Sequence, residues 1–229
     1  MMQFWKGSPH DNVVMDTFDK DRVILRPISK KVAKEIVIKN HYSHTWPAAV
    51  LCLGLFVDEK LNGVSVFGPS ATSHMANSLP SPNYFELQRL FSFDWAGKNI
   101  ESYMISQSIK YIKSEHPDID CLISFADPEQ GHNGTIYQAT NWLYCGLTDT
   151  PGGYQYMFNG KWEHMRSTGA RLGTRDHNII MNMYPDLVFR KGVVKHRYIY
   201  LLPNDKKHKR ELMKRLTDKY DILPYPKNK

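Results

Sequence analysis

Apolar and polar residues along this chain fall into blocks whose period changes, and each change marks an element. Arg22 to Pro27 (RVILRP) is a short apolar run that stops at a proline, which cannot donate to a sheet ladder, so it reads as a strand. Ser29 stands just ahead of a stretch in which Val32, Ile36 and Val37 recur at helical spacing, which predicts a capped helix from Lys30 to about Asn40. Ala49 to Val57 and Leu61 to Phe67 are apolar runs joined by the polar Asp58-Glu59-Lys60, a hairpin signal. Gly68 to Asn83, rich in Ser, Pro and Asn, reads as loop. Tyr84 to Phe93 alternates as a strand, with Phe85, Leu87, Arg89, Phe91 and Phe93 on one face and Glu86, Gln88 and Leu90 on the other. Ile105, Ile109 and Ile112 set a core stripe on a helix from about Ile100 to Glu115. Cys121 to Ala126 reads as a strand and Gly134 to about Tyr144 as a helix, with Tyr137, Asn141 and Tyr144 on one stripe. Tyr154 to Phe158 and Arg197 to Leu202 read as further strands, and residues 204–219 as an exposed basic helix.

The order strand, helix, hairpin, strand, helix, strand, helix, strand predicts an α/β fold with a mixed, mostly antiparallel central sheet and helices on both faces. No composition shift marks a domain boundary. The expectation is therefore one domain over 1–229, with a basic C-terminal extension from about residue 187 and a stretch after residue 160 whose pattern is harder to read. The net charge of +7 and the pI of about 9.2 favour a polyanionic partner. Cys52, Cys121 and Cys145 lie apart in apolar runs with no paired spacing, which argues for buried free thiols rather than a zinc site. Neither a secretory pattern at the N-terminus nor an apolar run of membrane-spanning length is present, so the expectation is a cytoplasmic protein without a membrane partner.

Chemistry concentrates in a few places. Asp127 closes the strand at Cys121, and Tyr137 lies early in the helix that follows, so an acid and a phenol share the rim where open α/β sheets bind ligands. Asp127 is also a natural turn acid or cap, although Asn133 competes for the capping position. His41 and Tyr42 lie in a loop after the first helix with His44 and Trp46, a set that suits a base-binding mouth. Arg89 is a cation among apolar neighbours, fit for an ion pair or for clamping an anion. Ser124 is a candidate wall of the cleft. The loop Asp94 to Asn99 feeds a helix N-terminus, where Gly97 and Lys98 are candidate donor-binding residues. Lys191, Lys195, Arg197, Lys207 and Arg210 are candidate phosphate contacts on double-stranded DNA.

The blocks NHYSHTWP, LGLF…GVSVFG, ELQRL, SFAD…GHNGTIYQATNWLYCG and HRYIYLLP run in order from Asn40 to Pro203. Together they resemble the GNAT acyltransferase fold and, more specifically, the Mom family of phage DNA-modification proteins. The resemblance implies conversion of adenine in DNA to its carbamoylmethyl derivative at the exocyclic amine, which protects the DNA from host restriction. It carries function onto His41, Tyr42, Arg89, Asp127 and Tyr137, and it implies an iron ion held by His41, Tyr42, Asp127 and Tyr137. Two phenols, an imidazole and a carboxylate are donors that suit iron better than zinc. The loop from Asp94 has a single glycine and Glu101 nearby, a departure from the glycine-rich coenzyme A loop of ordinary GNAT enzymes. The donor is then either a coenzyme A thioester or a glycyl group carried by tRNA. Two other readings stay open: an ordinary N-acyltransferase acting on a small-molecule or protein amine, and a DNA-binding accessory protein without catalysis. Oligomeric state is not legible.

Overall fold

A computed structural model describes residues 18–72, 74–149 and 151–227. They form two compact units. Among the described residues, one comprises those up to Ser124 with Gly134–Gly146 and Tyr198–Pro226, and the other comprises Phe125–Asn133 and Leu147–Arg197.

The first unit is built on a seven-stranded sheet in the order β1-β2-β3-β4-β5-β10-β6. Its strands are β1 (Val23–Pro27), β2 (Leu51–Val57), β3 (Lys60–Gly68), β4 (Tyr84–Ser92), β5 (Cys121–Ala126), β6 (Leu143–Leu147) and β10 (His196–Leu201). The first four strands pair antiparallel, and β4 runs parallel to β5. Asp58 and Glu59 both take positive φ, the twist that a two-residue hairpin between right-twisted strands requires. Helix α1 (Lys30–Asn40) starts where the Ser29 hydroxyl accepts from the Val32 N–H. It buries Ala33, Ile36 and Val37 against Cys52, Phe56, Val64 and Val66 on one sheet face. Helix α2 (Ile100–Glu115) buries Ile100 and Met104 against Val23, Leu55 and Val57 on the other. Each such aliphatic side chain withdrawn from water contributes roughly 1.5–3 kcal/mol. The mixed sheet with helices on both faces is the architecture expected from the sequence.

One register feature was not legible. Val66 pairs with Arg89 and its neighbour Phe67 pairs with Leu87, so Gln88 is left over as a β-bulge. Adjacent residues on β3 face opposite sides, so Leu87 and Arg89 do too, against the alternation read from the sequence. Glu86, paired with Gly68, joins Arg89 on the α1 face. Leu90, paired with Ser65, packs with Ile100 and Met104 on the α2 side.

The helix expected from Gly134 to Tyr144 is also shorter. Helix α3 covers only Thr135–Gln138. Asn141 takes the left-handed conformation, Trp142 N–H reaches the Tyr137 carbonyl and Asn141 N–H reaches Gln138, which is the Schellman way of ending a helix. Tyr144 therefore lies on β6, and the stripe with Tyr137 and Asn141 does not form. Gly134 opens α3 at φ +86°, with the Tyr198 ring where a Cβ would lie, so this turn needs glycine twice over.

The second unit has a three-stranded antiparallel sheet, β8-β7-β9, made of β7 (Tyr154–Phe158), β8 (Lys161–His164) and β9 (Phe189–Lys191). Helices α4 (Met165–Leu172) and α5 (His177–Met183) accompany it. Its core is aromatic: His177 stacks on Tyr154 with centroids 3.8 Å apart and hydrogen-bonds the Tyr156 hydroxyl at 3.1 Å, and the Arg171 guanidinium lies over Phe158. This unit accounts for the stretch that resisted reading. Helix α6 (Lys206–Thr217), capped by Asp205, returns to the first unit and matches the expected basic helix.

Candidate active site

The parallel ladder between β4 and β5 runs from Tyr84–Cys121 to Glu86–Ile123. Beyond it the bridge passes through side chains. Ser124 Oγ lies 2.9 Å from the Leu87 carbonyl and 2.8 Å from the Tyr137 hydroxyl. A serine hydroxyl has one hydrogen and a carbonyl only accepts, so the arrangement that satisfies all three is Ser124 donating to Leu87 and Tyr137 donating to Ser124. Tyr137 is buried, with Trp142 and Tyr198 as ring neighbours, and burial pushes its phenol well above the ordinary tyrosine range. It holds its proton at any physiological pH.

Arg89 is fixed by neutral oxygens. Its Nε donates to Thr45 O at 3.2 Å, one Nη to the Thr45 hydroxyl at 2.7 Å and the other to Gln88 O at 2.6 Å. A guanidinium has five N–H groups, so two remain. Among the described residues no carboxylate forms an ion pair with it. Burial lowers its pKa, opposed by Tyr42 and Glu86, and the same two residues act electrostatically on Tyr137. Ser124 thus touches Tyr137, and Tyr42 and Glu86 lie within electrostatic reach of both Arg89 and Tyr137. His41 is buried with its ring against Tyr42, the centroids 4.3 Å apart. His41 Nδ1 accepts the Ser43 backbone N–H at 3.1 Å, so the neutral ring carries its hydrogen on Nε2. Nδ1, the basic nitrogen of that tautomer, also lies 2.9 Å from the Ser43 hydroxyl. Tyr42 is 49% exposed, whereas His41 is buried.

Of the expected site residues, His41 and Tyr42 are in ring contact, and Tyr42 lies within electrostatic reach of Arg89 and Tyr137. Asp127 belongs to the second unit. Its carboxylate pairs with Lys195 Nζ at 2.8 Å and accepts from Glu129 N–H, capping the turn Pro128–Gln130, while Gly134 stands at the start of α3. Asn133 therefore does not relieve Asp127 of capping. Glu86 is the residue that sequence reasoning placed on the wrong face, and only the bulge at Gln88 reveals it.

The metal set implied by the resemblance was tested against these contacts. The Tyr137 hydroxyl is bonded to Ser124, Asp127 is paired with Lys195, and His41 Nδ1 faces an N–H. Among the described residues no group of three or more His, Cys, Asp or Glu side chains could hold a metal. These donors do not fit iron as arranged. The loop expected to cradle a pyrophosphate fares similarly. Gly97 N–H is spent on Asp94 O, and Glu101 in the first turn of α2 accepts from Ser92. Two acids flank this segment and Lys98 is its one cation, a poor match for the pyrophosphate of coenzyme A.

Of the expected phosphate contacts, Lys195 is held by Asp127, and Arg197 is buried and paired with Asp149 at 3.2 Å. Lys191, Lys207 and Arg210 are exposed.

The model of the Mom protein family matches residues 22–227. The methylcarbamoylase mom of Escherichia phage Mu is 30% identical over 207 residues, covering 87% of this chain and 82% of that protein. Solved structures with a similar course include a spermidine N-acetyltransferase mutant from Vibrio cholerae (TM-score 0.47, 10% identity, 80% of this chain and 95% of that one). Another is a Bacillus subtilis acetyltransferase in complex with CoA (TM-score 0.41, 12% identity, 79% and 97%).

Proposed function

The chain belongs to the Mom protein family, and on that premise we propose that it is a transferase that modifies adenine in DNA, attaching a carbamoylmethyl group to the exocyclic amine. The observation that carries the reading is the guanidinium of Arg89, positioned by neutral oxygens with two N–H groups unspent, beside a carboxylate and a phenol that holds its proton. That is an anion or carbonyl clamp next to a candidate base and a candidate hydrogen-bond donor.

The amine of adenine is a weak nucleophile because its lone pair is delocalised into the ring, and inside a duplex it is out of reach. The base must leave the stack, at a cost of a few kcal/mol. Tyr42 and His41 offer the aromatic face against which it lodges. Arg89 holds the donor's carbonyl or carboxylate so that its activated carbon faces the amine. As the bond from the amine nitrogen to the donor's methylene carbon forms and that carbon's bond to its leaving group breaks, the amine proton passes to Glu86 and the departing atom takes a hydrogen bond from Tyr137. Ser124 fixes the Tyr137 hydroxyl. Asp127 and Lys195 hold the turn Pro128–Gln130, and we give them a positioning role. The composition of the Asp94–Asn99 loop favours a donor carried by something other than coenzyme A, and the product requires that the leaving group sit on the donor's methylene carbon. Protection of the modified DNA from restriction follows from the altered base.

Nucleoside mass spectrometry of DNA from cells expressing the full chain tests the reading. Carbamoylmethyl-adenine in the wild type, lost in Arg89→Ala, is the expected result. Unmodified adenine in DNA exposed to folded wild-type protein overturns it.

A further inference from the structure

Several exposed cations are matched with acids: Arg22 with Asp58, Arg26 with Glu59, Arg171 with Glu163, Arg190 with Glu129 and Lys195 with Asp127. The cations of the exposed helix α6 are not matched among the described residues, and six of them stand on one helix. On α6, Lys206, Lys207, Lys209, Arg210, Lys214 and Arg215 are all exposed, and among the described residues none of their side chains meets an acid. Glu211 is the one acid on the helix. Lys206, Arg210 and Lys214 follow one another at four-residue spacing, so the helix carries like-charge neighbours that repel. A polyanion removes that repulsion. Lys206, Lys209 and Arg210 also rim an open cavity of about 400 Å³ floored by Met213.

The helix is firmly seated. Leu212 and Leu216 are fully buried, and the His208 ring reaches Asp120 at 3.4 Å. Past its C-terminal end, Lys219 donates to the carbonyls of Asn77 and Leu79, and Leu223 and Tyr225 hydrogen-bond to Tyr144 and Trp142. Asp120 immediately precedes β5, and Ser124, four residues along, meets Tyr137. At 3.2–3.4 Å per residue the anchor of α6 lies about 13 Å along the strand from the phenol.

We propose that α6 is the element that grips the backbone of duplex DNA, with Lys206, Arg210 and Lys214 on successive phosphates beside the target base. The stripe from Lys206 to Lys214 is about 12 Å long at 1.5 Å per residue. One strand presents a phosphate about every 3.4 Å of axis, so the stripe covers about three of them. This rests on the reading that DNA is the substrate, and it names where that substrate is held.

The experiment is the binding of a labelled duplex to the full chain, followed by anisotropy at several salt concentrations. Lys206, Arg210 and Lys214 are replaced together by Gln, which keeps helix propensity, and Lys30, Lys31 and Lys34 of α1 are replaced by Gln as the exposed control. Neutralising three phosphate contacts lowers the slope of log affinity against log salt by about 2.7, and it weakens binding at least tenfold at about 100 mM salt. The α1 triple leaves both unchanged. An α6 triple with the wild-type slope, a control that loses as much, or a structured RNA that displaces the duplex at equal concentration overturns the proposal. So does a wild type without salt-dependent affinity for duplex. If the α6 effect appears but no base adduct ever forms, the grip on DNA stands and the proposed reaction falls.

Discussion

Glu86 and Arg89 share one face of β4, although three residues apart in an unbroken strand would set them on opposite faces. Gln88 makes the difference: it bulges out between the Val66–Arg89 and Phe67–Leu87 pairs and turns the strand over once. A carboxylate and a guanidinium then share one side of the sheet, and the carboxylate acts electrostatically on both Arg89 and Tyr137.

If Glu86 takes the amine proton, Glu86→Gln lowers the rate of adenine modification by about 10²–10⁴, the range for loss of a general base, with melting temperature unchanged. Arg89→Lys keeps the charge but loses the planar fork, so the donor KM rises more than kcat falls. Time courses of adduct formation by nucleoside mass spectrometry, at varied donor concentration, separate the two. A Glu86→Gln protein with wild-type rate removes Glu86 from the reaction.

The Tyr137–Ser124–Leu87 chain makes an asymmetric prediction. Tyr137→Phe deletes the terminal donor and leaves Ser124 still bonded to Leu87, so stability barely changes while modification falls. Ser124→Ala strands a buried phenol without an acceptor and costs about 1–3 kcal/mol. Urea denaturation of the two variants checks the order. If Tyr137→Phe is the less stable protein, the assignment of the proton is wrong.

How far these features were legible depended on their physical range. Local patterns worked: the Ser29 cap, the Asp58-Glu59 hairpin and the Ile105–Ile112 stripe each follow from a few adjacent residues, and each stands in the structure. The bulge at Gln88 did not, because strand alternation continues through it in the sequence and only pairing with β3 exposes the slip. The early stop of α3 was written in Asn141, a residue able to adopt the left-handed conformation, but the apolar spacing of Tyr137 and Tyr144 outweighed it. The second unit was opaque for another reason. Its strands are three to five residues long, and its packing runs through the ring contacts of Tyr154 and Tyr156 with His177, which leaves no aliphatic period to read. In the site, residue types were legible for Tyr42, Arg89 and Tyr137, whereas the pairing of Asp127 with Lys195, 68 positions on, was not.

That pairing sets up a test of Asp127. Asp127→Asn keeps an oxygen to accept the Glu129 N–H, so the turn Pro128–Gln130 stays capped, and it removes the charge that holds Lys195. A residue with a positioning role tolerates this: modification stays within about tenfold of wild type, and Asp127→Ala, which loses the cap as well, is less stable than Asp127→Asn. Loss beyond a hundredfold in a folded Asp127→Asn protein returns Asp127 to the chemistry, since an amide is neither a base nor an anionic ligand.

The pH dependence of stability is expected to carry a signature of His164. Its Nδ1 accepts the Arg166 N–H at the start of α4, and burial foremost, then the charges of Arg166 and Lys195, hold its pKa below the ordinary histidine value. The folded ring stays neutral where the unfolded chain, with histidine near pH 6.5, takes up a proton. The unfolded state then binds more protons, so stability rises with pH through this range. The contribution is whole above about pH 6.5, is lost as pH falls through it, and stops changing below the folded pKa. One proton sets a ceiling of about 1.4 kcal/mol per pH unit, and a half-exposed ring delivers well under that. His164→Asn retains a capping oxygen and cannot titrate. Urea midpoints at pH 7.5 and pH 5 are therefore closer together in His164→Asn than in the wild type, and equal drops in both proteins put the acid sensitivity elsewhere, with His196, lowered by burial in the same direction, as the next residue to replace.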